Sequence, residues 1–152
     1  MKNVKYIFSL VILVSFLGFI SCGDDDSPEP TLEEQRLENI AGTWSTGSVT
    51  LNNNAAPGDW SNFSITFTQQ KGASVTGDPK SEVDIFAIST YDFGGGTSAS
   101  NFDVIFNGMP AEVASININA NSMTMSFTLS EGDKLGAKVL SVEGDWVFNL
   151  TK

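Results

Sequence analysis

The chain has 152 residues, of which 8 are basic and 18 acidic, so it carries a net charge of −10, with no histidine and one cysteine. This balance excludes the basic surface that nucleic-acid binding needs. Without histidine, and with one cysteine, the chain can form neither a Ser-His-Asp nor a Cys-His catalytic site, nor the usual nitrogen and sulfur zinc site, nor an internal disulfide. We therefore expect a non-catalytic protein without cofactor or metal.

The first 21 residues have the organisation of a secretory signal. Lys2 and Lys5 give a basic start, an apolar stretch runs from Tyr6 to Ile20, and Ser21 is a small residue before the expected cut. The apolar stretch is too short for a comfortable membrane span. We therefore expect residues 1–21 to be removed as a signal peptide.

Cys22 follows this signal directly, in the segment Phe19-Ile20-Ser21-Cys22. The segment resembles a bacterial lipobox, in which the cysteine sulfur receives a lipid before cleavage, and several acyl chains make a stable anchor. The acidic run of residues 24–26 is similar to export signals of Bacteroidetes lipoproteins. These resemblances imply a lipoprotein of the outer membrane, lipidated on Cys22 and exposed at the cell surface. The alternative is an ordinary secreted protein with a stray cysteine near its cleavage site.

Residues 22–30 are predicted to form an acidic flexible tether, because Asp, Ser, Pro and Glu occur there without an apolar anchor. Loss of residues 1–21 removes Lys2 and Lys5 from the eight basic residues, so the mature chain has a net charge of −12. Residues 31–152 then form one domain. Thr31 and Glu34 fit a capping box, which predicts a helix from about Leu32 to Ala41.

Beyond Gly42, apolar residues alternate with Thr, Ser, Asn and Gly, which predicts an all-β domain. A bulge near Gly47 would let Trp44 and Val49 both point inward. About eight strands in roughly 110 residues, with short connections, predict an antiparallel up-and-down β-barrel, with a β-sandwich as the alternative. The predicted strands are residues 43–51, 63–67, 83–91, 102–106, 113–118, 123–129, 138–143 and 146–150.

The segment from Ile40 to Trp44, a helix that runs into Gly42-Thr-Trp44, resembles the opening of lipocalins and of lipocalin-like lipoproteins of the Bacteroidetes. The last two strands, 122–130 and 142–152, are similar to the ending of those lipoproteins. The resemblance implies a lipocalin-like (calycin) barrel with Gly42 and Trp44 as its structural motif. Lipocalins typically set an Arg from a late strand over the Trp, and here the late strands offer Lys138 and Lys152.

The resemblance also implies a barrel that binds a small hydrophobic ligand at the cell envelope. The inward-facing candidates for contacting it are Phe86, Phe102, Phe106, Met125 and Phe127.

Alternating aromatic residues in strands are more often core residues than ligand contacts. The alternative is therefore a surface interaction or structural domain with a filled barrel, which binds a protein or a glycan and shows aromatic residues such as Trp60 or Tyr91 outside. An enzyme would need two carboxylates in one cleft, for example Asp92 and Asp103. We expect a monomer that binds the membrane through its lipid.

Overall fold

The structure, a computed structural model, describes residues 28–79, 83, 85–109, 111–130 and 143–152. The predicted signal peptide, the lipidation of Cys22 and the tether up to residue 27 lie outside the described residues. So does the predicted strand 138–143 except for its last residue, which is not in a strand. Residues 28–30 are exposed and have no regular secondary structure.

Helix α1 spans Leu32–Ile40 and begins at the predicted capping box. The backbone N–H of Thr31 donates to Glu34 Oε2 at 2.7 Å, and the backbone N–H of Glu34 donates to Thr31 Oγ1 at 3.2 Å. The bond from the Thr31 backbone holds the pKa of the Glu34 carboxyl below its ordinary value. The helix ends one residue earlier than predicted, and Gly42 follows with a φ of +118°, which disfavours any side chain.

The described residues form one antiparallel sheet of nine strands in the order β4-β3-β1-β9-β8-β7-β6-β5, with β2 paired to β1. Because β9 returns to pair with β1, the chain forms an up-and-down barrel, and the sandwich alternative is wrong. The strands are β1 (Gly42–Leu51), β2 (Asn54–Ala55), β3 (Ser64–Phe67), β4 (Ala73–Thr76), β5 (Thr90–Phe93), β6 (Asn101–Asn107), β7 (Val113–Asn119), β8 (Ser122–Leu129) and β9 (Gly144–Thr151).

The barrel is nearly closed between β4 and β5. Only a bridge between Gly72 and Thr90 joins them within the described residues. It is supported by the backbone N–H of Ala73, which donates to Ser89 O at 3.1 Å, and by that of Tyr91, which donates to Lys71 O at 2.9 Å. The two strands therefore meet at the end of the barrel that α1 covers.

The structure differs from the predicted strands in two details and agrees with them in one. The bulge is confirmed, because the pairing of β1 with β9 shifts between Thr46 and Ser48 and both Trp44 and Val49 are buried. The predicted strand 83–91 is wrong, since among its described residues only the last two are in β5. Ile85 and Phe86 are consecutive and both buried, which an extended strand with one covered face does not allow. The short strands β2 and β4 were not predicted.

The core is the inside of the barrel. Burial alternates residue by residue along β6, β7, β8 and β9, as the periodicity predicted. Antiparallel connectivity divides the connections between two ends. The helix end carries α1, residues 94–100 and Lys152, and the opposite end carries residues 52–63. The described residues contain no helix long and apolar enough to cross a membrane.

Candidate functional site

The five residues predicted to contact a ligand all lie in the core. Their side chains are almost inaccessible, with exposed fractions between 0% for Met125 and 5% for Phe127. They come from the segment before β5, from β6 and from β8, and they do not form one group. The positions are Phe86, Phe102, Phe106, Met125 and Phe127.

Phe86 and Phe127 belong to a cluster of aromatic rings towards the opposite end of the barrel. Trp60 lies at its centre, with its ring centroid 5.3 Å from that of Phe148 and 5.8 Å from that of Trp146. Phe86 lies 5.4 Å from Phe148 and 6.1 Å from Phe127. These rings contact one another at the distances of a packed aromatic core. The cluster consists of Trp60, Phe63, Phe86, Phe127, Trp146 and Phe148.

Phe102 and Phe106 pack in a second group, nearer the helix end. Phe106 lies 6.1 Å from Phe67, whose ring in turn lies 5.2 Å from Tyr91. The hydroxyl of Tyr91 donates to Thr68 O at 2.9 Å, and burial raises the pKa of Tyr91 to about 12. Phe102 packs edge-on against Phe93 at 5.3 Å. These contacts are again between protein side chains.

The exposed aromatic residues that the surface-domain alternative named as examples, Trp60 and Tyr91, are not on the outside. Trp60 is 6% exposed and Tyr91 3% exposed. The indole N–H of Trp60 donates to Pro57 O at 2.8 Å, so its polar atom is satisfied within its own loop while the rings pack inward. Both side chains can therefore be buried without leaving a donor unpaired.

Arg36 connects α1 to the barrel through hydrogen bonds and a contact with an aromatic ring, although sequence reasoning did not single it out. It is 6% exposed. Its Nε donates to Ser98 O at 3.2 Å and its Nη2 to Gly96 O. Its guanidinium lies 5.1 Å from the ring centroid of Phe102. The available signal was that it is the single arginine of the chain and precedes Ile40 by one helical turn.

Lys152 closes the same end from the C-terminus. Its Nζ lies 4.4 Å from the ring centroid of Trp44 and donates to Asn39 O at 3.1 Å. A Cβ added to Gly42 would lie 3.1 Å from Lys152 Cε, so the glycine leaves room for the lysine stem. Of the two candidate lysines, Lys152 therefore covers Trp44, and Lys138 lies outside the described residues.

The two carboxylates named as an example of an enzymatic pair have separate partners. Asp92 Oδ1 contacts Lys71 Nζ at 2.7 Å, and this bond lowers the pKa of Asp92. Asp103 Oδ1 accepts from Ser115 Oγ at 2.8 Å. In the described part of the chain, no group of three or more His, Cys, Asp or Glu residues is placed to hold a metal ion.

A groove of about 510 Å³ lies on the outer face of β7, β8 and β9, and sequence reasoning missed it. Pairing places Ser126 between Ser115 and Val147, and Thr128 beside Asp145. The hydroxyl of Thr128 donates to Asp145 Oδ1 at 2.7 Å. An alternating polar residue in a strand looks the same in sequence whether it faces bulk water or a groove. The residues that line it are Val113, Ser115, Ser126, Thr128, Asp145 and Val147, together with Phe127 and Trp146, whose side chains are buried in the core.

No family model, curated protein or solved structure matches the chain.

Proposed function

We propose that this chain is a non-catalytic lipoprotein of the cell envelope, tethered through Cys22, whose barrel interior is a core and whose outer surface binds its partner. The observation that carries this proposal is the packing of the five interior candidates. They are at most 5% exposed, and the four phenylalanines among them contact other aromatic rings. Apolar side chains that already pack against one another leave no apolar surface for a ligand to cover.

The lipocalin-like relationship stays part of the proposal. It is supported by the order of the strands, by the helix that precedes β1, and by the cation of Lys152 over Trp44. The fold alone does not assign a function, because the same barrel holds a ligand in some proteins and only side chains in others.

The position of α1 supports the proposed tether. Residues 28–31 lead directly into α1, which is bonded to the helix end of the barrel through Arg36 and is buried there at Ile40. A lipid on Cys22 would therefore hold the helix end nearest the bilayer. The barrel wall and the opposite end would be presented to the surroundings.

The anchor is tested by the intact mass of the mature protein taken from a bacterial envelope. We expect cleavage before Cys22 and the added mass of acyl chains. An unmodified Cys22, or retention of residues 1–21, would contradict the anchor.

The core interpretation is tested by native mass spectrometry of the Cys22→Ser protein purified from its own host. We expect one polypeptide per particle and no accompanying small molecule. A small apolar molecule that stays bound until the protein unfolds would instead support the ligand carrier that the resemblance implies.

A further inference from the structure

The outer faces of β7, β8 and β9 carry almost no charge, although the protein is strongly acidic. Every outward residue of these three described strands is a hydroxyl, an amide or a valine, with the exception of Asp145. We call this surface the polar wall. The outward residues are Val113, Ser115, Asn117, Asn119, Ser122, Thr124, Ser126, Thr128, Asp145, Val147, Asn149 and Thr151.

Side chains on the wall are held in place by hydrogen bonds across the strands. Thr124 Oγ1 donates to Asn149 Oδ1 at 3.2 Å, and Asn149 Nδ2 donates to Ser48 Oγ at 3.1 Å on the neighbouring β1. Ser115 Oγ donates to Asp103 Oδ1 at 2.8 Å. Because these rotamers are fixed before any partner arrives, binding loses less side-chain entropy.

The groove on this wall offers three kinds of contact within one depression of about 510 Å³. Asp145 Oδ1 is oriented by Thr128, and Oδ2 has no hydrogen-bond partner among the described residues. The hydroxyl of Ser126 likewise makes no hydrogen bond to them and can both donate and accept. Val113, which is 51% exposed, adds an aliphatic surface, as does Val147 on the other side.

The composition of the wall restricts the class of partner. Protein interfaces are anchored by aromatic residues, Met and Arg, and none of these points outward from β7, β8 or β9. A lipid or detergent would need a larger apolar area than two valines. An anionic partner would be repelled by Asp145 and by the net charge of the chain, and a metal cation would find one carboxylate where it needs several oxygen ligands.

We infer that this groove binds a sugar unit of an uncharged glycan. The carboxylate of Asp145 accepts hydrogen bonds from ring hydroxyls, Ser126 exchanges hydrogen bonds with a neighbouring hydroxyl, and the valines contact the C–H face of the ring. A neutral polyhydroxylated ligand matches this set because it both donates and accepts hydrogen bonds and carries no charge to desolvate. The inference rests on the proposed function, since it names the partner of the outer surface.

The test uses the mature chain, residues 22–152 with Cys22→Ser, in native affinity gels that contain one soluble polysaccharide each. The probes are a neutral β-glucan, a galactomannan, a xylan and, as a charged comparison, a polygalacturonate. Two variants alter the groove, Ser126→Gln by adding neutral bulk and Asp145→Asn by removing the charged acceptor. Two matched controls lie elsewhere: Ser74→Gln makes the same exchange on the exposed face of β4, and Glu38→Gln makes the corresponding change from carboxylate to amide on α1.

We expect at least one neutral polysaccharide to retard the unmodified protein. Asp145→Asn should weaken this binding about tenfold, which is the loss expected for one hydrogen bond to a charged acceptor. Ser126→Gln should abolish it, while both controls should behave like the unmodified protein.

The inference is overturned if no neutral polysaccharide retards the protein, if only the polygalacturonate does, or if retardation is equal in both groove variants and the controls. Retained secondary structure and an unchanged unfolding midpoint establish that each variant is folded. Failure in these gels leaves the core interpretation intact, because a small molecule found inside the barrel by native mass spectrometry would be needed to overturn that.

Discussion

Lys152 Nζ lies 4.4 Å from the ring centroid of Trp44, so the last residue of the chain covers the first tryptophan of the barrel. The same nitrogen donates to Asn39 O at the end of α1. One side chain therefore connects α1, β1 and the end of β9. The pairing of β9 with β1 also brings the two ends of the meander together. This contact therefore stabilises the barrel at the pairing of its first and last strands.

Replacement of Lys152 by Met should lower the free energy of unfolding by about 0.5–1 kcal/mol, the usual worth of a cation over an aromatic ring at an exposed site. Lys152→Arg keeps a cation there and should retain most of this stability. Urea unfolding of the mature domain measures both. Equal stabilities for the unmodified protein and Lys152→Met would show that the contact does not stabilise the fold.

Arg36→Met should destabilise the domain by about 1–3 kcal/mol, because it removes two hydrogen bonds from a buried charged donor to the part-buried carbonyls of Gly96 and Ser98. Hydrogen exchange should accelerate at residues 94–100 more than in β8. The control is Glu38→Gln on the exposed face of the same helix, which should change stability by less than about 0.5 kcal/mol. A uniform acceleration across the barrel would show that Arg36 does not act locally on this loop.

The three consecutive glycines offer a matched pair. Gly96 has a φ of +102°, and an added Cβ would lie 2.6 Å from Phe102 Cα, so Gly96→Ala should cost about 2 kcal/mol or more. An added Cβ at Gly95 would lie 2.9 Å from Asp103 Oδ2, the end of a side chain that can rotate away at the expense of its hydrogen bond from Ser115, so Gly95→Ala should cost about 1 kcal/mol or less. Thermal unfolding checks the order of the two, and an equal cost at both positions would contradict the described loop.

Tyr91 provides a pH prediction, since it is the one tyrosine in residues 22–152. Burial raises its pKa from 10.0 to about 12, so the folded state favours the neutral phenol. The resulting stability is fully present below pH 10 and is lost as the pH rises towards 12.

Ultraviolet absorbance of the phenolate in the folded mature protein measures this directly. We expect ionisation near pH 12, accompanied by unfolding, and a Tyr91→Phe variant should lack the absorbance change. Ionisation of the folded protein near pH 10 would show that the ring is open to water.

Sequence alternation predicted the barrel where each strand has one apolar and one polar face, as in β6, β8 and β9. It failed in the segment before β5, where apolar residues would lie on both faces of a strand. There Val83, Ile85 and Phe86 are all buried, and the described residues of the segment are not in a strand. It also missed β4, whose four residues Ala73–Thr76 contain little apolar surface.

The candidate site could not be predicted in the same way. Alternation places Phe86 and Phe127 inside, but only the three-dimensional packing brings both against Phe148. The groove depends on register, because Ser126 lies between Ser115 and Val147 only through the pairing of three strands. Neither relationship is encoded in the spacing of residues along one strand.

The central claim is that the barrel interior is a packed core, and the uptake of a small apolar probe tests it most directly. The probe is a naphthylamine dye that fluoresces in apolar surroundings, added to the folded mature domain, and xenon is added to the same domain and to Met125→Ala. Met125 is 0% exposed, so this truncation opens a cavity among the same side chains that is large enough for a xenon atom and too small for the dye. We predict no saturable fluorescence with the unmodified domain, and xenon binding, measured by the xenon NMR shift, to folded Met125→Ala alone. Saturable binding of one dye per unmodified chain would contradict the account.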